Sequence, residues 1–366
     1  PMIVSEYGAG SDKRLHSLNP RAFDFSIEYQ QKFLEHYLPI LENTPYVCGG
    51  THWNFIDFSS ALRDESMPRI NNKGLAYSDR TPKDVFYYYK AAWRKDIPVL
   101  HIASRHWIYR TGIQQGDSSV LLPVKIYTNL PEVELSIDGK SLGRQQVDNY
   151  TAIFKAPFSS KEPLLLVQGN YQGTTVQDGI KVHFTPIPTN LNSTGLKDLE
   201  LAVNVGSQCF YTSDESRLTW LPDQPYTKGS WGYIGGKELS TQTEIRRTAD
   251  GPLFQTLRNG IEGYRFDVPR GVYEVELLFT DIFLQNEGIA YQLGREGEQK
   301  SRENTFGISV NGKMLEEKLS PCKESGYCQA MRKKYIITND TDHIDIRFHP
   351  ASGTCFLNGI KLRNIH

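Results

Sequence analysis

Glu6 stands in Ser5-Glu6-Tyr7-Gly8, directly after the apolar run Pro1-Met2-Ile3-Val4, and Trp53 and Asn54 closely follow a second such run, Tyr46-Val47-Cys48-Gly49-Gly50. Short apolar runs of this kind read as strands buried on both faces of a parallel sheet, and barrel enzymes carry their chemistry at the C-terminal ends of such strands. A carboxylate there, ringed by Tyr7, His16, Trp53 and Asn54, is suited to covalent attack on the anomeric carbon of a sugar. That chemistry needs a second carboxyl group about 5–5.5 Å away as acid and base. The chain does not disclose it: Asp57 also follows a strand end, but nothing in the sequence marks it as an acid. On residue type alone, a Glu at a strand terminus is ordinarily a surface carboxylate. Asn71 and Lys73, in Asn71-Asn72-Lys73-Gly74, set an amide donor beside a cation, which suits an anionic ligand, and the same four residues also make a good turn.

The elements that must place these groups show as patterns. Phe25, Tyr29, Phe33, Tyr37 and Leu41 recur every four residues with Leu34 and Leu38 beside them, which predicts a packing helix with one broad apolar stripe. Thr81 is expected to cap a second helix, with Pro82 in its first turn and Asp84 completing a capping-box-like pattern before Phe86, Tyr89 and Trp93. The order is strand, helix, strand, helix. From Ile97 the period changes to alternation. Strands are expected at Val124–Thr128, Val133–Ile137, Ala152–Lys155, Leu164–Gln168 and Ile180–Phe184, with a hairpin at Asp138-Gly139-Lys140, enough for an immunoglobulin-like sandwich. Pro186–Asn190 reads as a stiff linker. A third unit opens near Leu199, runs through exposed-looking aromatics at Tyr211, Trp220, Tyr226, Trp231 and Tyr233, and alternates over Gly271–Phe279, Phe306–Val310, Lys334–Thr338 and His343–Phe348. An antiparallel jelly roll fits it.

The chain has 366 residues, room for two or three domains. Lys and Arg number 41 against 42 Asp and Glu, so no net field draws nucleic acid or anionic lipid, and neither is expected as a partner. Aromatic residues make up 11%, which suits β-rich cores and surfaces that stack on sugars. Five cysteines are too few for a disulfide scaffold; Cys322 and Cys328 are spaced either to close a small loop or to stand as free thiols. No apolar run reaches the roughly 20 residues of a membrane helix. No metal-ligand spacing or phosphate loop is present, and no metal or cofactor is expected. The chain opens without Met and in mid-strand, so it reads as the C-terminal part of a longer protein.

Across the first hundred residues, Pro1 to Gly8, Leu15-His16-Ser17, Glu28-Tyr29-Gln30, Trp53 to Phe58, Asn71-Asn72-Lys73-Gly74 and Asp79 to Lys83 come in an order that resembles glycoside hydrolase family 2. The resemblance implies that Glu6 ends the seventh strand of a (β/α)₈ barrel as the nucleophile, and that Trp53 walls the sugar subsite after the eighth. Tyr7, His16 and Asn54 join Trp53 as expected substrate contacts. Asn71 and Lys73 match a pair that glucuronidases use for the substrate carboxylate, although similar strings occur in galactosidase-like members. The family's acid/base Glu would lie upstream of Pro1. The middle segment, with Tyr127-Thr128-Asn129 and Glu132 to Gly143, resembles the immunoglobulin-like domain that follows such barrels. Asn204-Val205-Gly206, Pro252 to Thr256, Phe279 to Phe283, Ser309 to Gly312 and Leu357 to Ile360 resemble a malectin-type domain of carbohydrate-binding module family 57, with Tyr211, Trp231, Tyr233, Phe254, Asp281 and Phe283 as candidate sugar contacts.

The expected domains are a partial barrel over 1–112, a sandwich over 113–188, a linker over 189–198 and a malectin-like jelly roll over 199–366. The expected activity is that of a retaining exo-β-glycosidase acting on oligo- or polysaccharide, with galactosides first, glucuronides as the alternative, and a non-catalytic carbohydrate-binding fragment as a third reading. The missing N-terminal part is the expected partner, a homo-oligomer is an open expectation, and the resemblance suggests a periplasmic or extracellular setting.

Overall fold

The computed structural model describes residues 1–114, 119–192, 199–283 and 303–365. Six of the residues expected to form the linker, 193–198, lie outside the described residues. The chain divides into two compact units, one of residues 1–189 with 209–219, the other of residues 190–208 with 220–366.

The first unit opens with β1 (Met2–Tyr7), which pairs in parallel with the Val47–His52 strand, Ile3 opposite Gly49 and Tyr7 opposite His52. Helix α1 (Ile27–Asn43) follows β1; the Ser26 hydroxyl caps it by accepting from Tyr29 N at 3.0 Å. Its buried face is Ile27, Gln30, Gln31, Leu34 and Leu38, whereas the expected aromatic stripe of Tyr29, Phe33 and Tyr37 is only half-buried. The reason lies in the two glutamines: Gln30 is drawn inward by backbone carbonyls described below, and Gln31 donates from Nε2 to Asp84 Oδ2 at 3.4 Å. Helix α2 (Asp84–Trp93) starts two residues later than a Thr81 cap requires, because Pro82 bridges to Ala76 and Tyr77 N donates to Thr81 O. Tyr7, Leu34, Leu38, Leu75, Val85, Tyr88 and Tyr89 form the core beneath both helices.

The strand and helix pairs are tied to the β region behind them. Lys125 Nζ donates to Glu35 Oε1 at 2.6 Å, Tyr127 OH donates to the same oxygen, and Asn149 Nδ2 donates to Tyr88 OH at 3.1 Å. One sheet there orders Lys140–Gln146, Glu132–Ile137, Leu164–Tyr171 and Thr174–Lys181; the other orders Thr151–Phe158, Val120–Thr128 and Leu100–Ile102. Alternation explains their facing: Val120, Leu122, Val124 and Ile126 point into a core shared with Val133, Leu135, Leu165 and Val167 of the opposite sheet. The hairpin at Asp138-Gly139 has φ of 50° and 78°, the left-handed pair that a two-residue turn requires. Pro186 and Ile187 are not linker: they close the His183–Ile187 strand, which pairs in parallel with Tyr109–Ile113.

In the second unit, one sheet orders Glu200–Asn204, Gly359–Asn364, Gly271–Phe279 and Met331–Asn339; the other orders Trp231–Ser240, Thr256–Phe266, Ile344–Ser352, Thr305–Val310 and Lys313–Leu319. Phe279 of the first meets Phe306 of the second, ring centroids 5.9 Å apart. Among the described residues no helix is long and apolar enough to cross a membrane, and Cys48, Cys322 and Cys355 are free thiols.

Candidate active site

The site is built where the loops after two parallel strands meet a third loop. Trp53 N donates to Tyr7 O at 2.8 Å, so the chain leaving the Val47–His52 strand is fastened to the end of β1. Gly8 permits this approach, since a Cβ there would lie 2.1 Å from Trp53 O. Glu6 is exposed on β1, one residue before Tyr7. The Trp53–Asn54 peptide is cis, and the Trp53 indole, 38% exposed, has its edge against Phe58.

Asn71 to Gly74 form the third loop, and nearly every backbone polar group in it has a partner. Asn71 Oδ1 accepts from Lys73 N at 3.3 Å, an Asx turn. Asn72 O accepts from Ser11 N at 3.1 Å and from Lys83 Nζ at 2.9 Å. Lys73 O accepts from Asn54 N and His52 Nε2, and Gly74 O from Gln30 Nε2 at 3.1 Å. Gly74 N donates to Asp57 Oδ1 at 2.8 Å. The same Gln30 amide donates to Ala9 O, which explains why α1 buries a glutamine: one amide holds a carbonyl of the loop after β1 and one of the third loop.

The Lys73 side chain is half-buried, and among the described residues no carboxylate lies within ion-pair distance of it. Asn71 is buried. Burial pulls the His52 imidazole down to about 4, with Lys83 adding to the effect, so the ring is neutral at pH 7.

Two of the expected contacts have other partners. Tyr7 packs into the core, its OH 2.8 Å from Tyr89 OH and its ring stacked on Tyr37. His16 is fully buried, with Nδ1 2.9 Å from Glu28 Oε1, Nε2 3.1 Å from Lys13 O, and its ring stacked on Trp107 at 4.5 Å. Asn54 donates from Nδ2 to Ile56 O. The structure therefore brings together Glu6, Trp53, Asn54, Asn71 and Lys73 through their backbones, and draws Tyr7 and His16 inward. Sequence reasoning missed His52, Gln30 and Lys83. A Lys ahead of a helix reads as a solvated charge, and its partner Asp57 lies 26 residues away in sequence, so nothing local marked the pair.

The expected sugar contacts of the last domain are mostly interior. Tyr211 belongs to the first unit, buried under the Arg14 guanidinium at 5.6 Å. Trp231, Phe254 and Asp281 are fully buried, and Trp220 nearly so, which overturns the exposed-aromatic reading of that stretch. Asp281 accepts from Phe283 N and Asn304 Nδ2, and burial raises its pKa. Tyr233 lies under the Arg258 guanidinium at 3.2 Å, and half-buried Phe283 packs on Phe356 at 5.5 Å. Among the described residues no cluster of His, Cys, Asp and Glu could hold a metal ion.

Three stretches of the chain match known domain models. Residues 1–97 match the TIM barrel domain of glycosyl hydrolases family 2, residues 120–174 a domain of unknown function (DUF4982), and residues 199–362 the malectin domain. The crystal structure of a Bacteroides uniformis β-glucuronidase is 74% identical over 100% of this chain and 42% of that one, with a TM-score of 0.93. A second structure, of Bacteroides uniformis β-glucuronidase 2 covalently bound to cyclophellitol-6-carboxylate aziridine, is also 74% identical over the same shares, with a TM-score of 0.92. A Bacteroides fragilis β-glucuronidase is 32% identical over 157 residues, 41% of this chain and 22% of its own length. The chain thus spans well under half the length of these relatives. They carry the name of the alternative expectation, the glucuronide, and displace the galactoside as the leading one.

Proposed function

We propose that this chain, which carries a TIM-barrel segment of glycosyl hydrolases family 2 and a malectin domain, is the C-terminal portion of a retaining β-glucuronidase with Glu6 as its nucleophile. The observation that carries the reading is Lys73: a half-buried ammonium with no carboxylate partner among the described residues, beside Asn71, in a loop fastened to the strand ends that carry Glu6 and Trp53. A cation left uncompensated at such a site suits an anionic substituent on the sugar. The covalent complex of the 74% identical relative with a carboxylate-bearing reagent supports the same reading.

In the first step a Glu6 oxygen attacks the anomeric carbon and the glycosidic bond breaks. The bonding pair leaves on the aglycone oxygen, which takes a proton from a carboxylic acid upstream of this chain. In the second, that carboxylate removes a proton from water, the water oxygen attacks the anomeric carbon, and the Glu6 ester bond breaks. Trp53 offers an indole face to the apolar side of the ring, and Asn71 and Lys73 hold the sugar carboxylate.

The test is steady-state kinetics of the polypeptide with its complete barrel on aryl β-glucuronide and aryl β-galactoside. Preference for the glucuronide is expected, and Glu6→Gln should lower kcat by roughly a thousandfold or more with the fold intact. Galactoside preference would refute the substrate, and a mild Glu6→Gln effect would refute the nucleophile.

A further inference from the structure

We infer that Lys83, together with Asp57, is a positioning residue that sets where the Asn71–Lys73 loop presents its cation, and so sets the preference for a carboxylate-bearing sugar. The inference rests on the glucuronide reading above.

Lys83 is 1% exposed, and its Nζ faces three acceptors: Asp57 Oδ1 at 2.9 Å, Asn72 O at 2.9 Å and Ser11 Oγ at 3.3 Å. An ammonium has three protons and no acceptor capacity, so these bonds use all it has. The three acceptors belong to three different stretches: the loop after β1, the loop after the Val47–His52 strand, and the Asn71–Gly74 loop. Asp57 extends the connection, because the oxygen that accepts from Lys83 also accepts from Gly74 N, while Asp57 N donates to Ala76 O. The peptide groups on both sides of Lys73 are therefore fixed, Asn72 O by Lys83 and Ser11, Gly74 N by Asp57. The Lys73 carbonyl between them is fixed by Asn54 and His52.

Among the groups whose hydrogen bonds hold this loop, Lys83 and Asp57 are the charged ones; Ser11, Gln30, Asn54 and His52 are neutral or donate from backbone. Burial lowers Lys83 and raises Asp57, and their contact opposes the shift in each. Keeping both charges in so dry a place is a poor route to stability, since an apolar pair of similar volume commonly does as well. What an apolar pair does not supply is directed bonds to a carbonyl and an amide on either side of the substrate-facing residue. A displacement of about 1 Å in such a site is enough to cost a large part of its effect. Lys83 touches no expected substrate atom; it acts through Asn72 and Lys73.

The experiment uses the polypeptide with its complete barrel and the variants Lys83→Met and Asp57→Asn. KM and kcat are measured on aryl β-glucuronide and on aryl β-glucoside, which differ only in the carboxylate, together with inhibition constants for D-glucuronate and D-glucose and a thermal melt. Lys83→Met is expected to lower kcat/KM on the glucuronide roughly 10- to 100-fold more than on the glucoside, mainly through KM, and to weaken D-glucuronate but not D-glucose by a similar factor. Asp57→Asn keeps an oxygen for Gly74 N and so keeps the fold; a selective loss of about fivefold is expected, and it decides the matter if Lys83→Met does not fold. Equal losses on both substrates, or a lowered melting temperature with unchanged selectivity, would overturn the inference and leave the pair merely structural. A wild-type enzyme that does not cleave glucuronides sinks the proposed function before any variant is read.

Discussion

Lys73 and His52 make the case at the scale of single residues. A charge-assisted bond to a substrate carboxylate contributes about 1.5–3 kcal/mol, so Lys73→Ala in the complete enzyme should raise KM for an aryl glucuronide roughly 10- to 100-fold and leave the matching glucoside within about twofold. Parallel kinetics on the two substrates check it; equal effects on both would remove Lys73 from the carboxylate site. His52 makes a separate prediction about pH. Lys73 O only accepts, so Nε2 carries the proton and the ring is neutral. Unfolded, the imidazole takes a second proton near 6.5; folded, it does so only near 4. The unfolded chain then binds more protons between those values, and stability contributed by neutral His52 falls as the pH drops from 6.5 towards 4. Melting curves of wild type and His52→Gln over pH 4–8 should show the wild type losing its advantage across that window, and a constant difference would contradict the buried neutral ring.

At the scale of elements, the Asn71–Gly74 loop behaves as a moulded part. A Cβ on Gly74 would lie 2.5 Å from Asp57 N and 2.4 Å from Ala76 O, both backbone atoms that cannot turn aside. Gly74→Ala should therefore destabilise the first unit by about 1–3 kcal/mol, read as a lower denaturant midpoint, and an unchanged midpoint would mean that the loop is looser than its hydrogen bonds imply. The same loop shows what could be read from sequence. Strand, helix, strand, helix was legible because apolar runs and a helical period fix element type, and Gly271–Phe279 was legible because Tyr273, Val275 and Leu277 alternate in type with Glu274 and Glu276, although Val275 to Phe279 are all buried. The buried face of α1 was not. Gln30 lies inward because two loop carbonyls, Ala9 O and Gly74 O, need its amide, and periodicity counts apolar side chains without seeing which carbonyls lack partners. The start of α2 failed for a related reason: the Lys83 side chain is engaged by Asp57 and Asn72 O, and Thr81 is used by a turn. The aromatics Tyr211, Trp220 and Trp231 looked exposed because polar residues flank them in sequence, while in space they fill interiors.

At the scale of the molecule, the first unit holds a parallel pair, β1 and the Val47–His52 strand, that no third described strand joins. Its apolar residues are correspondingly open, Met2 at 46%, Ile3 at 71% and Tyr46 at 62% exposed. Parallel strands ordinarily have neighbours along their edges and cover on both faces, and in the proposed enzyme the upstream barrel strands supply them. Cys48, exposed and free on the Val47–His52 strand, reports on that closure. Peptide-resolved maleimide labelling of the 366-residue chain should modify Cys48 readily, whereas the polypeptide with its complete barrel should protect it by about tenfold or more in rate. Internal controls are built in. Cys322 and Cys328, half-buried in the second unit, should label alike in both proteins. Buried Cys355, whose thiol burial pushes up to about 11, and Cys209, pushed higher still, should be slow in both. Equal labelling of Cys48 in the two proteins would mean that no barrel closes over these strands. Glu6 would then lack the upstream carboxyl group that its chemistry requires, and the catalytic reading of this chain would fall with it.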